Sequence, residues 1–219
     1  MFSRIQQYLQ NPMQLLYTIP AILIGLTVHE WAHAYAADKL GDPTAKNLGR
    51  MTLNPLAHLD PLGIIMLLFL GFGWARPVPV NPRNFKKFRR DDIIVSLAGI
   101  TANCIVAFFA VLIFYAGILF WGLGNNDAYY QIMMRIITIN LSLMVFNLIP
   151  LHPLDGSHVA ESLLFRKMPR VFLFLRDYGQ YILIALLITG VLSNILTFLV
   201  GGIFDILSRL ALLILNLFS

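Results

Sequence analysis

The 219-residue chain carries very little charge and almost no cysteine. Charged residues make up 12% of it and apolar residues 58%, whereas a soluble domain has about 25% and about 45–50%. So few charges cannot cover the water-facing surface of a chain of this length, which excludes a soluble globular domain and indicates a membrane protein. The one cysteine, Cys104, cannot form an internal disulfide bond, so a disulfide-stabilised scaffold is excluded as well.

Basic residues outnumber acidic ones, and the net charge is +5. A basic surplus is compatible with nucleic-acid binding, but in a membrane chain it more often reflects cytoplasmic loops rich in Lys and Arg. The densest basic cluster lies between Arg83 and Arg90, and a second lies between Arg166 and Arg176. We therefore expect a lipid bilayer, and no nucleic acid, as a partner, with both basic clusters on the cytoplasmic side.

Apolar stretches long enough to cross a bilayer recur along the chain. A spanning helix needs roughly 20 mostly apolar residues, and the stretches near that length are 13–37, 93–126, 132–150, 178–192 and 195–217. Another stretch, 61–75, has only fifteen residues, which favours a re-entrant or interfacial element. Arg76–Val80 follows it and alternates with proline, a pattern typical of an extended edge because proline cannot donate to a β-ladder.

These patterns predict an all-α polytopic membrane protein. We expect about five to six transmembrane helices, a re-entrant or interfacial segment, and a short β-like edge between the first and third apolar stretches. No internal repeat is visible, so residues 1–219 are read as a single membrane-embedded domain. Its core covers about 13–165, and a C-terminal helical pair covers about 170–219.

The segment His29-Glu30-Trp31-Ala32-His33 concentrates the chemistry of the chain. Only five histidines and two glutamates occur in the whole sequence, yet three of them fall here. At 100° per residue the two histidines lie on one helical face, so both imidazoles can reach one ion. Glu30 is offset by one residue, where its carboxylate can take the proton of a water beside that ion. Ionisable residues inside a span are costly, so this segment predicts a functional metal site.

Two histidines leave a catalytic zinc one protein ligand short. The acidic residues in or beside the other apolar segments are Asp155, Glu161 and Asp205. Asp155 is the best placed, because it follows directly on the 132–150 stretch, after two prolines that break the helix. Gly156, the next residue, lets the backbone turn close to the site.

These residues resemble the site-2 proteases, a family of intramembrane zinc metalloproteases. The resemblance rests on His29-Glu30-x-x-His33, Ser96-Leu-Ala-Gly99-Ile-Thr-Ala-Asn103 and Asn147-x-x-Pro150-x-x-x-x-Asp155-Gly156. It covers roughly residues 15–165, and the stretch 41–63 is similar to the compact prokaryotic branch that lacks PDZ and CBS domains. Ile100 departs from the pattern, since the family often has a proline there.

The resemblance implies hydrolysis of peptide bonds of transmembrane protein substrates within or near the bilayer, in regulated intramembrane proteolysis. His29, His33 and Asp155 would hold one Zn²⁺ per chain. Glu30 would act as general base and then as proton donor, and Asn147 would hold the scissile carbonyl or its developing oxyanion. The Arg76–Val80 segment would pair with an unwound substrate by strand addition.

For three ligands to share one ion, the apolar stretches 13–37 and 132–150 must run in the same direction, from outside to cytoplasm. The site then lies nearer the cytoplasmic side, in what we expect to be a prokaryotic cell membrane. A metal-ion or proton transporter would also bury His and Asp in its spans and is the alternative function; a catalytically silent scaffold is a third. The substrate, the oligomeric state and the roles of His58, His152 and His158 stay open.

Overall fold

The computed structural model describes residues 10–70 and 73–217, and nearly all of its regular structure is helical. The helices are α1 (Met13–Lys39), α2 (Thr44–Asn47), α3 (Pro61–Leu70), α4 (Phe88–Trp121), α5 (Asp127–Asn147), α6 (Asp155–Leu164), α7 (Pro169–Ile188) and α8 (Val191–Leu215). Five of them, α1, α4, α5, α7 and α8, are long and apolar enough to cross a membrane. The prediction of an all-α polytopic membrane protein is confirmed.

The short apolar stretch after α2 does not form a span. Helix α3 has 10 residues, which at 1.5 Å per residue gives about 15 Å, half of the roughly 30 Å of a bilayer core. The β-like edge expected after it has no counterpart as a strand, because the described residues contain no β-ladder and 73–81 have no regular secondary structure. Because no strand of the described residues lies beside residues 73–81, their backbone groups form hydrogen bonds with other parts of the chain.

Helices α1, α4 and α5 pack against one another and form the centre of the molecule. Helix α4 also contacts α6 and α8, whereas α7 contacts mainly α8. The largest apolar cluster lies between α4, α5 and α8 and includes the fully buried Val111 and Leu141. The three central helices carry His29–His33, Ser96–Asn103 and Asn147, whereas Asp155 and Gly156 begin α6.

Asp42 ties the loop after α1 to the segment that precedes α4. Its carboxylate is fully buried and accepts from the hydroxyl and backbone N–H of Thr44, from the backbone N–H of Asn81 at 2.7 Å, and from Nδ2 of Asn84 at 2.7 Å. Burial disfavours the charged carboxylate, but these hydrogen bonds outweigh it and hold the pKa of Asp42 below its usual range. This anchor fixes residues 81–84 beside the C-terminal end of α1.

Candidate metal centre

Three ligand atoms converge where α1 meets the start of α6. His29 Nε2 and His33 Nε2 lie 3.0 Å apart, and Asp155 Oδ2 lies 3.2 Å from each of them. Both histidines are buried in α1, one turn apart, while Asp155 is the first residue of α6. The structure thus brings together the two histidines and the carboxylate that the sequence pointed to.

The chain between α5 and α6 is folded tightly enough to deliver Asp155 to this point. A Cβ atom on Gly156 would overlap the backbone of Leu148 and Ile149, so only glycine lets α6 begin so close to the end of α5. Of the other acidic candidates, Glu161 is half-buried further along α6, and Asp205 is exposed on α8. Neither belongs to the group around the two histidines.

Hydrogen bonds at the far side of each ring fix the orientation of the imidazoles. His29 Nδ1 lies 2.7 Å from Oδ1 of Asn103, and His33 Nδ1 lies 2.8 Å from the carbonyl oxygen of Val95. A carbonyl oxygen only accepts, so each Nδ1 carries the proton, and each Nε2 of the neutral ring presents a lone pair. The two lone pairs point to the same place as a carboxylate oxygen.

This convergence of three acceptors fits a bound cation. Asp155 Oδ2 is buried and has no hydrogen-bond donor among the described residues. Separations of 3.0–3.2 Å between the three atoms are close to the ~3.3 Å expected between tetrahedral zinc ligands with bonds of 2.0–2.1 Å. Two imidazoles and one carboxylate are also a known donor set of catalytic zinc, which keeps its fourth position open.

Gly99 allows α4 to approach the two histidines closely. A Cβ atom at this position would lie 2.5 Å from His33 Nε2 and 2.7 Å from His29 Nδ1. Asn103 lies one turn further along α4 and is the hydrogen-bond acceptor of His29. Gly99 and Asn103 therefore share the face of α4 that contacts the site, a role that the sequence motif alone did not reveal.

Glu30 is buried beside the ligand pair and is held by the backbone. Its Oε2 accepts the N–H of Val78 at 2.8 Å. Pro77 and Pro79 have no N–H to offer, so Val78 is the only backbone donor of residues 77–79. One carboxylate oxygen is thus fixed by the segment that precedes α4.

Residues 73–81 are themselves held in place by neighbouring loops. Arg50 donates through its guanidinium to the carbonyl oxygens of Arg76 at 2.8 Å and Pro77 at 3.2 Å, and the N–H of Arg76 donates to the carbonyl of His58 at 2.8 Å. Several backbone groups of the predicted edge are therefore already paired with the chain. The segment thus has hydrogen-bond partners although it belongs to no β-ladder.

The remaining candidate residues have contacts of their own with other parts of the chain. Asn147 is the last residue of α5, half-buried, and its Nδ2 donates to the carbonyl of Leu143 at 3.0 Å. His58 is fully buried and contacts the carbonyl oxygen of Thr52 at 2.8 Å. The rings of His152 and His158 lie 6.4 Å apart, at the junction of the α5–α6 loop with α6.

Comparisons with known proteins place the chain in a family. Residues 125–190, which include Asn147 and Asp155, match the model of Peptidase family M50. The "Putative zinc metalloprotease YwhC" of Bacillus subtilis is 40% identical over 200 residues, which cover 87% of this chain and 89% of that protein. The chain belongs to peptidase family M50. The predicted resemblance to the site-2 proteases and the prediction of a metallopeptidase are thereby confirmed.

More distant relatives of this M50 peptidase are found in mycobacteria. The "Putative zinc metalloprotease Rip2" of Mycolicibacterium smegmatis is 29% identical over 188 residues, 84% of this chain and 71% of that protein. The protein of the same name from Mycobacterium tuberculosis strain H37Rv is 27% identical over 194 residues, with the same coverage. No solved structure matches the chain at a significant level. Family membership does not favour the alternative of a transporter.

Proposed function

We propose that this M50 peptidase is an intramembrane zinc endopeptidase, which cleaves transmembrane protein substrates within or near the bilayer. The observation that carries the proposal is the convergence of His29 Nε2, His33 Nε2 and Asp155 Oδ2 between helices of a membrane-spanning bundle. The names of the relatives specify zinc, and the donor set and separations at this site suit the same ion. Cleavage of such substrates is the step of regulated intramembrane proteolysis that we assign to it.

The residues around the ligands supply the acid–base chemistry of the reaction. Zinc in this position contributes Lewis acidity, which polarises a carbonyl and makes water more acidic. Glu30, held at Oε2 by Val78, takes the proton of the attacking water and returns it to the leaving amine. Asn147 has a second amide N–H besides the one used on Leu143, and this N–H stabilises the developing oxyanion.

We place the site nearer the cytoplasmic face of a prokaryotic cell membrane. His29 and His33 lie in the C-terminal half of α1, and Asp155 follows the C-terminal end of α5, so both helices must run in the same direction. Lys39 ends α1, and the basic cluster 83–90 spans the start of α4. The positive-inside rule assigns such ends to the cytoplasm.

Asp155→Ala tests the assigned ligand set. Removing one of three protein ligands should lower zinc affinity by more than tenfold, because two histidines alone cannot complete the coordination of the ion. The measurement is zinc content after purification and after competition with a chromophoric chelator. Glu161→Ala, which changes the other acidic residue of α6, is the matched control and should keep about one zinc per chain.

Full zinc retention by Asp155→Ala would contradict the ligand assignment. If the wild type holds zinc but cleaves no tagged single-span membrane protein, zinc flux into liposomes becomes the decisive measurement. Flux by the wild type that Asp155→Ala abolishes would contradict the endopeptidase proposal.

Asn147→Ala tests the proposed oxyanion contact. Loss of one such donor should reduce kcat by about 10²–10³-fold with little change in KM, because the contact strengthens only in the transition state. Zinc content should stay unchanged, since Asn147 is not a ligand. A raised KM with an unchanged kcat would instead assign Asn147 to substrate binding.

A further inference from the structure

Two buried asparagines form a hydrogen-bonded chain behind His29. Asn103 in α4 and Asn140 in α5 are both 0% exposed, although they lie in apolar membrane-spanning helices. Asn103 Oδ1 lies 2.7 Å from His29 Nδ1, and Asn103 Nδ2 donates to Asn140 Oδ1 at 2.9 Å. Nδ2 of Asn140 donates in turn to the carbonyl oxygen of Ile136 at 2.8 Å. The contacts join all three central helices.

The carbonyl oxygen of Ile136, at the end of this hydrogen-bonded series furthest from His29, determines which group donates and which accepts in every bond. The carbonyl of Ile136 can only accept, so the amide of Asn140 must present its Nδ2 to it and its Oδ1 to Asn103. Both N–H groups of Asn103 are then used, one by Asn140 and the other by the carbonyl of Gly25 at 3.0 Å. Oδ1 is the only part of the Asn103 amide that can face His29.

We propose that Asn103 and Asn140 are positioning residues that hold His29 in the tautomer and ring orientation required to bind zinc. An acceptor at Nδ1 forces the proton onto that nitrogen and leaves the Nε2 lone pair for the ion. Asn140 acts through Asn103, because it prevents the amide of Asn103 from turning its N–H groups toward the ring. This inference rests on the proposed zinc site and adds the residues that set its affinity.

Because Asn103 and Asn140 are buried in membrane-spanning helices, substitution of either should disturb the hydrogen bonds that lead to His29. An amide without a partner is costly in an apolar environment, so each member of the chain stabilises the orientation of the next. His33 has a backbone acceptor, Val95, which no side-chain substitution removes. Of the two ligand histidines, His29 is therefore the one whose orientation depends on side chains.

The test measures zinc affinity and not peptidase activity. Purified full-length variants are loaded with zinc and titrated with a chromophoric chelator, and the absorption bands of the Co²⁺-loaded proteins are recorded. Asn103→Leu, which has a similar shape but no acceptor, should bind zinc about 10–100-fold more weakly and show shifted Co²⁺ bands. Asn103→Asp keeps an acceptor for the Nδ1 proton but loses both N–H donors, so its zinc affinity should lie between those of Asn103→Leu and the wild type.

Two further variants separate positioning from stability. Asn140→Leu leaves Asn103, the acceptor of His29, in place. A loss of zinc affinity in Asn140→Leu therefore shows that Asn140 acts on His29 through Asn103. Leu141→Ala, at the adjacent and fully buried position, should lower thermal stability but leave zinc affinity unchanged.

Wild-type affinity in Asn103→Leu would overturn the proposal, as would an equal loss of affinity in Leu141→Ala or in Asn103→Asp. If Asn103→Leu does not fold, Asn140→Leu decides between the outcomes. Absence of zinc binding by the wild type would instead contradict the proposed function, so the two failures can be distinguished.

Discussion

Glu30→Gln is expected to keep its zinc and lose its peptidase activity. The amide oxygen of the substituted side chain can still accept the N–H of Val78, so the contact that holds the wild-type carboxylate is preserved. A neutral amide cannot take a proton from water, and general acid–base catalysis contributes about 10²–10⁴-fold in rate. We therefore expect a loss of that size in the cleavage of a tagged single-span membrane protein, with zinc content equal to that of the wild type.

The chain contains one other glutamate, which provides the control for this experiment. Glu161 is half-buried in α6 and does not belong to the group around the two histidines. Glu161→Gln makes the same chemical change away from the ligands and should leave cleavage within about twofold of wild type, as surface and half-buried changes usually do. Cleavage by Glu30→Gln at the rate of the Glu161→Gln control would show that another group acts as the base.

Gly99→Ala is expected to damage the site through a single methyl group. That methyl would lie 2.5 Å from His33 Nε2 and 2.6 Å from His29 Cε1, well inside the normal contact distance. The rings cannot rotate away freely, because Asn103 and Val95 hold their other nitrogens. Relief requires α4 and α1 to separate by about 1 Å, and a displacement of that size can cost about 10²-fold in rate.

Zinc affinity should also fall in Gly99→Ala, by at least about tenfold, because the methyl group crowds the ligand atom itself. The measurements are chelator competition and cleavage of the same single-span substrate. Gly202→Ala is a matched control on α8, where a Cβ atom would meet nothing within 4 Å. Normal zinc affinity and cleavage in Gly99→Ala would mean that α4 does not approach the ligands as closely as the structure shows.

The grouping of His29, His33 and Asp155 was predictable because its signal is local. His29 and His33 are one helical turn apart in sequence, and Asp155 follows directly on an apolar stretch that proline ends. The spans were predictable for the same reason, since a bilayer imposes a length and a composition on each helix separately. The prediction that the stretch 61–75 forms no span also rested on its length alone.

The β-like edge was predicted from the same kind of local signal. In this case the local signal was insufficient to predict the structure. Whether an extended segment becomes a strand depends on a partner strand, which the alternation of proline cannot reveal. The structure instead directs the N–H of Val78, which lies between two prolines, to the carboxylate of Glu30. The roles assigned to Glu30 and Asn147 stay predictions, which the variants above test.

The sequence by itself determined that this is a helical membrane protein with a His-Glu-x-x-His segment and a nearby Asp-Gly pair. Only the tertiary structure decided which side chains surround that segment. Asn103 lies 74 residues from His29, and Asn140 a further 37 residues along the chain, so no local pattern relates them. They meet because α1, α4 and α5 pack on the faces where Gly25 and Gly99 allow close approach, and such a choice of faces depends on the packing of all three helices together.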